Sequence, residues 1–158
     1  ELMAQNSLAA LYVSGKGVQT NYTEAAKYYG LAAAQGDVGA QLTLAEMYLS
    51  GQGVDKDYEQ AAIYYRLAAE KGEVAAGEGH PSSQNNLGLM YESGQGVAES
   101  KVRAYAWLRL ASLLAVGEER VRYQGNKEQI EAQLTEAQLA EANSLSDRCL
   151  ESRYRECE

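Results

Sequence analysis

The sequence predicts an all-α protein built as a solenoid of antiparallel helix pairs, and three observations carry that prediction. The 158 residues are rich in Ala, Leu, Tyr, Glu and Gln, with no Phe and a single Pro, a composition that favours helix. Apolar residues recur at helical spacing in successive blocks. The blocks also repeat: Tyr12 to Tyr48, Gly17 to Gly53 and Tyr29 to Tyr65 are each 36 residues apart, and a fixed period of that size is the mark of a solenoid. Tyr48 to Tyr91 and Gly53 to Gly96 are both 43 apart, so seven residues are inserted, most simply 73–79 (EVAAGEG).

Each repeat reads as helix A, a glycine turn and helix B. In helix A of the second repeat, Ala40, Leu44, Met47 and Tyr48 fall at i, i+4, i+7 and i+8 and form one apolar face. Ala9, Ala45 and Gly88 stand beside it at equivalent places, where a neighbouring helix can come close. Gly15, Gly51 and Gly94 are expected to end helix A in the left-handed conformation. Gly17-Val18, Gly53-Val54 and Gly96-Val97 follow, with the Val expected to plug the turn into the core. Helix B carries Ala25, Tyr28, Tyr29, Leu31, Ala32 and Ala33, matched by Ala61, Tyr64, Tyr65, Leu67, Ala68 and Ala69. Small Ala beside bulky Tyr predicts interdigitated antiparallel helices. Gly36 and Gly72 are expected to stop helix B. Asp37 and His80 stand where the next helix A needs a polar cap.

The pattern resembles the Sel-one-like repeat (SLR) family of bacterial type, relatives of the tetratricopeptide repeats. The resemblance rests on Leu44-Ala45-x-Met47-Tyr48, Gly51-x-Gly53-Val54, Ala61 to Tyr65 and Leu67-Ala68-Ala69, with their counterparts one repeat away. It implies a right-handed α-α superhelix and three repeats at about 2–37, 38–72 and 80–115, with the insertion at 73–79 between the second and third. The third repeat departs from the pattern: Ala104-Tyr105-Ala106-Trp107-Leu108 replaces the Ala-x-x-Tyr-Tyr block, and Lys101 stands where Tyr22 and Tyr58 do. It resembles a closing repeat.

Residues 116–158 lose the repeat and are expected to form a C-terminal helical cap and tail. Val121, Ile130 and Leu134 have helical spacing, but Gln124-Gly125-Asn126 is expected to break that helix. Thr135-Glu136-Ala137-Gln138 matches a capping box that starts a last helix with Leu139, Ala142 and Leu145 on one face. Such a segment would cover the open end of the array.

The two cysteines, Cys149 and Cys157, both lie in the last ten residues. An even pair with no His nearby fits a disulfide better than a metal site, two free thiols being the alternative. A bridge implies an oxidising compartment, periplasmic or secreted; free thiols would allow the cytoplasm. Eight residues of continuous helix would hold the Cα atoms ~12 Å apart, beyond bridging range. The helix must therefore end between them, near Ser152 to Tyr154. The chain opens inside a repeat without an initiator Met, as expected of a processed or trimmed piece, from which any export signal would have been lost upstream.

Chemistry is hard to place on this chain. The net charge of −8 repels phosphate backbones and no run of Lys or Arg opposes it, which argues against nucleic acid. No apolar run approaches a membrane span. The G-x-G triplets recur after helices and lack a following Gly-Lys-Ser/Thr, so they read as turns rather than nucleotide loops. His80 is the single histidine, and beside Glu78 it falls short of the ligands a metal needs. No cofactor or metal is expected. The carboxylates Glu46, Glu59, Glu70, Glu73, Glu78, Glu92 and Glu99 are spread evenly, as on a solvated face. A cell-wall hydrolase using a carboxylate pair is the enzymatic alternative. One cysteine-rich branch of the resembled family is associated with β-lactam binding or hydrolysis, but it carries a cysteine pair in each repeat. This chain has none there and no Ser-x-x-Lys.

The resemblance implies that helix A lines a concave face. Its positions off the core face are Asn6, Ala10 and Val13, then Leu42, Glu46 and Leu49, then Asn85, Leu89 and Glu92. Each triplet is spaced i, i+4, i+7 and forms one stripe. Apolar Leu beside Glu and Asn predicts a groove that grips an apolar anchor within a polar rim. The reading is a non-catalytic scaffold for a protein or peptide partner, monomeric or weakly dimeric. A structural assembly factor that works as a dimer is a third possibility.

Overall fold

The computed structural model describes residues 2–71, 80–154 and 156–157. The 73–79 insertion and the Gly72 stop lie outside them. All regular structure among the described residues is helical: α1 (Leu2–Ser14), α2 (Tyr22–Ala34), α3 (Val38–Ser50), α4 (Tyr58–Lys71), α5 (Pro81–Ser93), α6 (Lys101–Leu114), α7 (Gly117–Glu131) and α8 (Glu136–Glu151). The chain forms two compact units, one up to Leu67 and one from Ala68.

In the first unit the core is a layer of small residues with a few large ones. Ala25, Ala26, Ala32, Ala33 and Ala40 are buried with Leu44 and Met47, and Tyr12, Tyr22, Tyr29, Tyr48, Val54 and Tyr64 pack against them. Alanine lets helix axes approach closely, and the tyrosines fill the space left at the flanks. Within each pair the rings stack: Tyr12 on Tyr28 at 5.9 Å, and Tyr48 on Tyr64 at 5.8 Å. Leu31, expected among the packing residues of helix B, is 46% exposed. Its place on α2 faces away from the alanine layer.

The turns repeat as closely as the helices. Gly51 and Gly94 cap α3 and α5 at φ of 73° and 68°, and their N–H groups donate to the carbonyls of Met47 and Met90. The residue that opens helix B donates its backbone N–H to the helix A tyrosine carbonyl in all three repeats: Asn21 to Tyr12, Asp57 to Tyr48 and Ser100 to Tyr91. The same three side chains cap helix B, accepting from the N–H groups of Glu24, Gln60 and Arg103. Gly53 has a further constraint. A Cβ there would lie 2.2 Å from the Tyr22 carbonyl oxygen, so the second repeat's turn seats directly on the start of α2.

In the second unit α7 and α8 both pack on α6. Trp107, Tyr91, Leu87, Leu108 and Leu110 are buried there, and Tyr123 of α7 packs with Ala111 and Ala115. Gly88 occurs where the earlier repeats have Ala9 and Ala45 because the Leu108 side chain takes the room: a Cβ at Gly88 would lie 2.7 Å from Leu108 Cγ.

Two expectations for this region need correction. The helix does not break at Gln124-Gly125-Asn126; α7 is continuous through them. A helical Gly costs about 1 kcal/mol, but burial of Tyr123 and Ile130 on either side holds the helix together. Val121, expected on the apolar face, is instead 75% exposed.

The tail follows the expected path. α8 starts with the Thr135–Gln138 capping box and ends at Glu151. Arg153 and Tyr154 then take φ of 55° and 63°, and the Tyr154 N–H donates to the Cys149 carbonyl at 2.7 Å. This reversal brings the Cα atoms of Cys149 and Cys157 to 4.4 Å, joined as a disulfide. Such a bond fits an oxidising compartment.

Candidate functional site

The helix A stripes do not share one environment. In the first unit, Asn6, Leu42 and Leu49 are half-buried, while Ala10, Val13 and Glu46 are exposed. The two Leu therefore offer less free surface than the sequence implied. Among the described residues, the buried side-chain oxygen of Asn6 has no hydrogen-bond partner.

Val13 and Glu46 come together. They line a groove of about 200 Å³ between α1 and α3, with Tyr22, Thr43, Met47, Ser50 and Gln52. Val13, Tyr22 and Met47 make its apolar wall. The hydroxyl of Thr43 donates to the Gly39 carbonyl at 3.0 Å and that of Ser50 to the Glu46 carbonyl at 2.9 Å. Their hydrogens are thus committed, and their lone pairs remain to accept. The Glu46 residue is exposed overall, yet nearby protein removes enough water to push its carboxyl above its ordinary value. The groove therefore presents apolar contact, hydrogen-bond acceptors and one partly desolvated carboxyl. Its complement is an apolar chain ending in a donor or a cation.

In the second unit the stripe is partly covered. Asn85, expected to be open to a partner, is only 5% exposed, and its side-chain oxygen accepts from Asn126 Nδ2 of α7 at 2.8 Å. The continuous α7 is the physical reason. Leu89 remains exposed and Glu92 half-buried.

His80 occupies the cap position of α5, followed by Pro81, but its side chain does not cap the backbone. Its Nδ1 instead lies 3.0 and 3.2 Å from the hydroxyls of Ser82 and Ser83. Burial lowers its pKa, and the Glu119 carboxylate opposes that shift. Among the described residues, no three metal-ligating side chains gather into a cluster, and no helix is long and apolar enough to cross a membrane. The N–H groups of Gly51 and Gln52 both go to the Met47 carbonyl, which leaves them no role in cradling a phosphate.

Sequence reasoning missed Tyr22, Thr43, Ser50 and Gln52 as groove residues. Thr43 and Ser50 lie seven residues apart on α3, beside Glu46 and Met47, and that spacing was the available signal. Tyr22 comes from the start of helix B, which a reading confined to helix A passes over.

Comparison with known proteins supports the same architecture. The Sel1 repeat model matches three times, at residues 2–37, 38–73 and 81–116. The structure is similar to that of c5321, a protective antigen of uropathogenic Escherichia coli strains displaying an SLR fold, with 33% identity and a TM-score of 0.79 over 99% of this chain. A Sel1 repeat protein from Oxalobacter formigenes is similar at 29% identity and a TM-score of 0.69 over 80% of the chain. The matches span 31% of the c5321 chain and 46% of the Oxalobacter one. No curated protein matches the chain. Sel1 repeat proteins are generally interaction scaffolds without catalysis, and nothing in these comparisons points to the hydrolase alternative. With the helix pairs, the glycine turns and the 36-residue register all in place, the chain belongs to the Sel1 repeat family.

Proposed function

We propose that this chain is a non-catalytic scaffold that holds a protein or peptide partner on its helix A side, through the groove between α1 and α3. The observation that carries the reading is the convergence of Val13 and Glu46, from consecutive repeats, on one groove with an apolar wall and a partly desolvated carboxyl. A long side chain with an aliphatic stem and a cationic head, Lys or Arg on the partner, fits that lining. The stem would rest on Val13, Tyr22 and Met47, and the head would meet the Glu46 carboxylate and the Ser50 and Thr43 oxygens. Leu42 and Leu49 extend the apolar contact along α3. The equivalent stripe of the second unit is no part of this groove, and its Asn85 is bonded to Asn126. The Cys149–Cys157 bridge supports action in the periplasm or outside the cell. The scaffold works as a monomer or weak dimer.

Affinity capture from a native lysate, with mass-spectrometric identification, tests this reading. The wild-type chain should retain a discrete partner that the Leu42→Asp/Glu46→Arg variant loses. Equal capture by both would show that the partner does not use this groove.

A further inference from the structure

We propose that the cavity between α6 and α7 is a binding site for an oxyanion group, carboxylate or phosphate, carried by a small ligand with an apolar body. It lies in the second unit and is independent of the α1/α3 groove.

The cavity has a volume of about 470 Å³. From α6 it is lined by Tyr105, Arg109, Ser112 and Leu113, at i, i+4, i+7 and i+8 of one helical face. From α7 come Arg120, Gln124 and Lys127, at i, i+4 and i+7. Three cations therefore face one space with no carboxylate in the lining among the described residues, on a chain whose net charge is −8. That is against the trend of the whole surface.

Two of the cations are held in place from outside the lining. The Arg109 guanidinium donates to Asp147 Oδ1 at 2.6 Å and to the Ser146 hydroxyl. Both bonds use one terminal nitrogen, so other N–H groups of the fork stay available. Lys127 pairs with Glu131 at 2.9 Å and sits 5.8 Å from the centre of the Tyr105 ring, which leaves two of its three donors. Gln124 is tied to Glu128 at 3.1 Å. Among the described residues, no ion pair or hydrogen bond engages the Arg120 side chain, whose backbone N–H goes to the Val116 carbonyl, and its guanidinium is the charge left for a ligand to neutralise. Anchored cations beside an exposed one suit an oxyanion, since the anchored donors lose little freedom on binding. The Tyr105 and Leu113 side chains supply the wall for an apolar body.

The test is an amide NMR titration of the whole chain at low salt with three probes: inorganic phosphate, N-acetyl-leucine and its carboxamide. Saturable shifts in α6 and α7 are expected with phosphate, N-acetyl-leucine or both, and none with the carboxamide. Which of the two binds identifies the source of the oxyanion. Arg120→Gln should weaken binding about tenfold, as loss of one charge-assisted contact does. Arg122→Gln, two residues along α7 and outside the lining, should change it less than about twofold. The proposal is overturned if no probe saturates by about 50 mM, if the carboxamide binds as well as the acid, or if the two Arg variants behave alike.

Discussion

The first two repeats and the third share a register but not an environment. Asn6 and Leu42 stand half-buried on the first unit's helix A surface, whereas the equivalent Asn85 is buried under α7 and bonded to Asn126. Tyr28 and Tyr64 are half-buried in ring stacks, whereas Trp107 at the same place is 1% exposed. Gly53 bears on Tyr22, whereas a Cβ at the equivalent Gly17 would meet nothing within 4 Å. A repeat position therefore carries a fixed backbone role and a variable neighbour.

The largest test of that distinction compares Gly17 with Gly53. Both have positive φ, 80° and 79°, so Ala at either should cost about 1 kcal/mol of backbone strain. Gly53→Ala must also displace the Tyr22 backbone, raising its cost to about 3 kcal/mol or more. Chemical denaturation of the two variants checks this, and equal losses would mean that the turn does not seat on α2.

Next in size is the tail. Loss of the Cys149–Cys157 bridge, by Cys149→Ser with Cys157→Ser, releases a short loop worth about 2 kcal/mol. The loss should fall on the second unit, read as faster amide exchange in α8 with α1 to α3 unchanged. Uniform acceleration would contradict the separation of the two regions.

A smaller effect with an unusual sign is expected at Gly88. Gly→Ala inside a helix normally gains up to about 1 kcal/mol. Here the new methyl meets Leu108, so Gly88→Ala should lose about 1 kcal/mol. A gain in the denaturation midpoint would show that Leu108 yields without cost. The effect is smaller than at Gly53 because the closest atoms belong to the Leu108 side chain, which can shift, and the Ala104 carbonyl oxygen lies at 3.1 Å, against 2.2 Å for the Tyr22 carbonyl oxygen at Gly53.

The smallest effect is at His80. Its folded pKa lies below the unfolded value, so near pH 6.5 the unfolded chain binds more protons. Its contribution is complete above that pH and is lost as the pH falls below it. The Glu119 carboxylate limits the loss. His80→Asn should flatten the stability profile between about pH 5 and 7, and a profile unchanged from wild type would remove His80 from the account.

The sequence revealed the helix pairs, the glycine turns, the capping box and the helix break that lets the cysteines meet, because each depends on local spacing. It hid what depends on a distant neighbour. Asn85 read as open because nothing local shows Asn126 lying across it. The Gly125 triplet read as a break because propensity ignores the burial of Tyr123 and Ile130. That misreading had a further consequence: Arg120, Gln124 and Lys127 share a face only if α7 is continuous, so the cationic cavity was invisible. No run of basic residues marks it either. Val13 and Glu46 were legible as stripe members, but their meeting with Tyr22 required the inter-repeat packing. The caps Asn21, Asp57 and Ser100 repeat in register and could have been found by aligning the turns.

On the proposed function, the open helix A surface of the first unit, and not the covered one of the second, holds the partner. The direct measurement is the affinity of the captured partner for two variants of equal charge change, Leu42→Asp/Glu46→Arg and Leu89→Asp/Glu92→Arg, each with an unchanged melting temperature. The account predicts at least about a hundredfold loss for the first, as expected of a groove anchor and its charge partner together, and less than about threefold for the second. Equal losses, or a loss confined to the second variant, would contradict it.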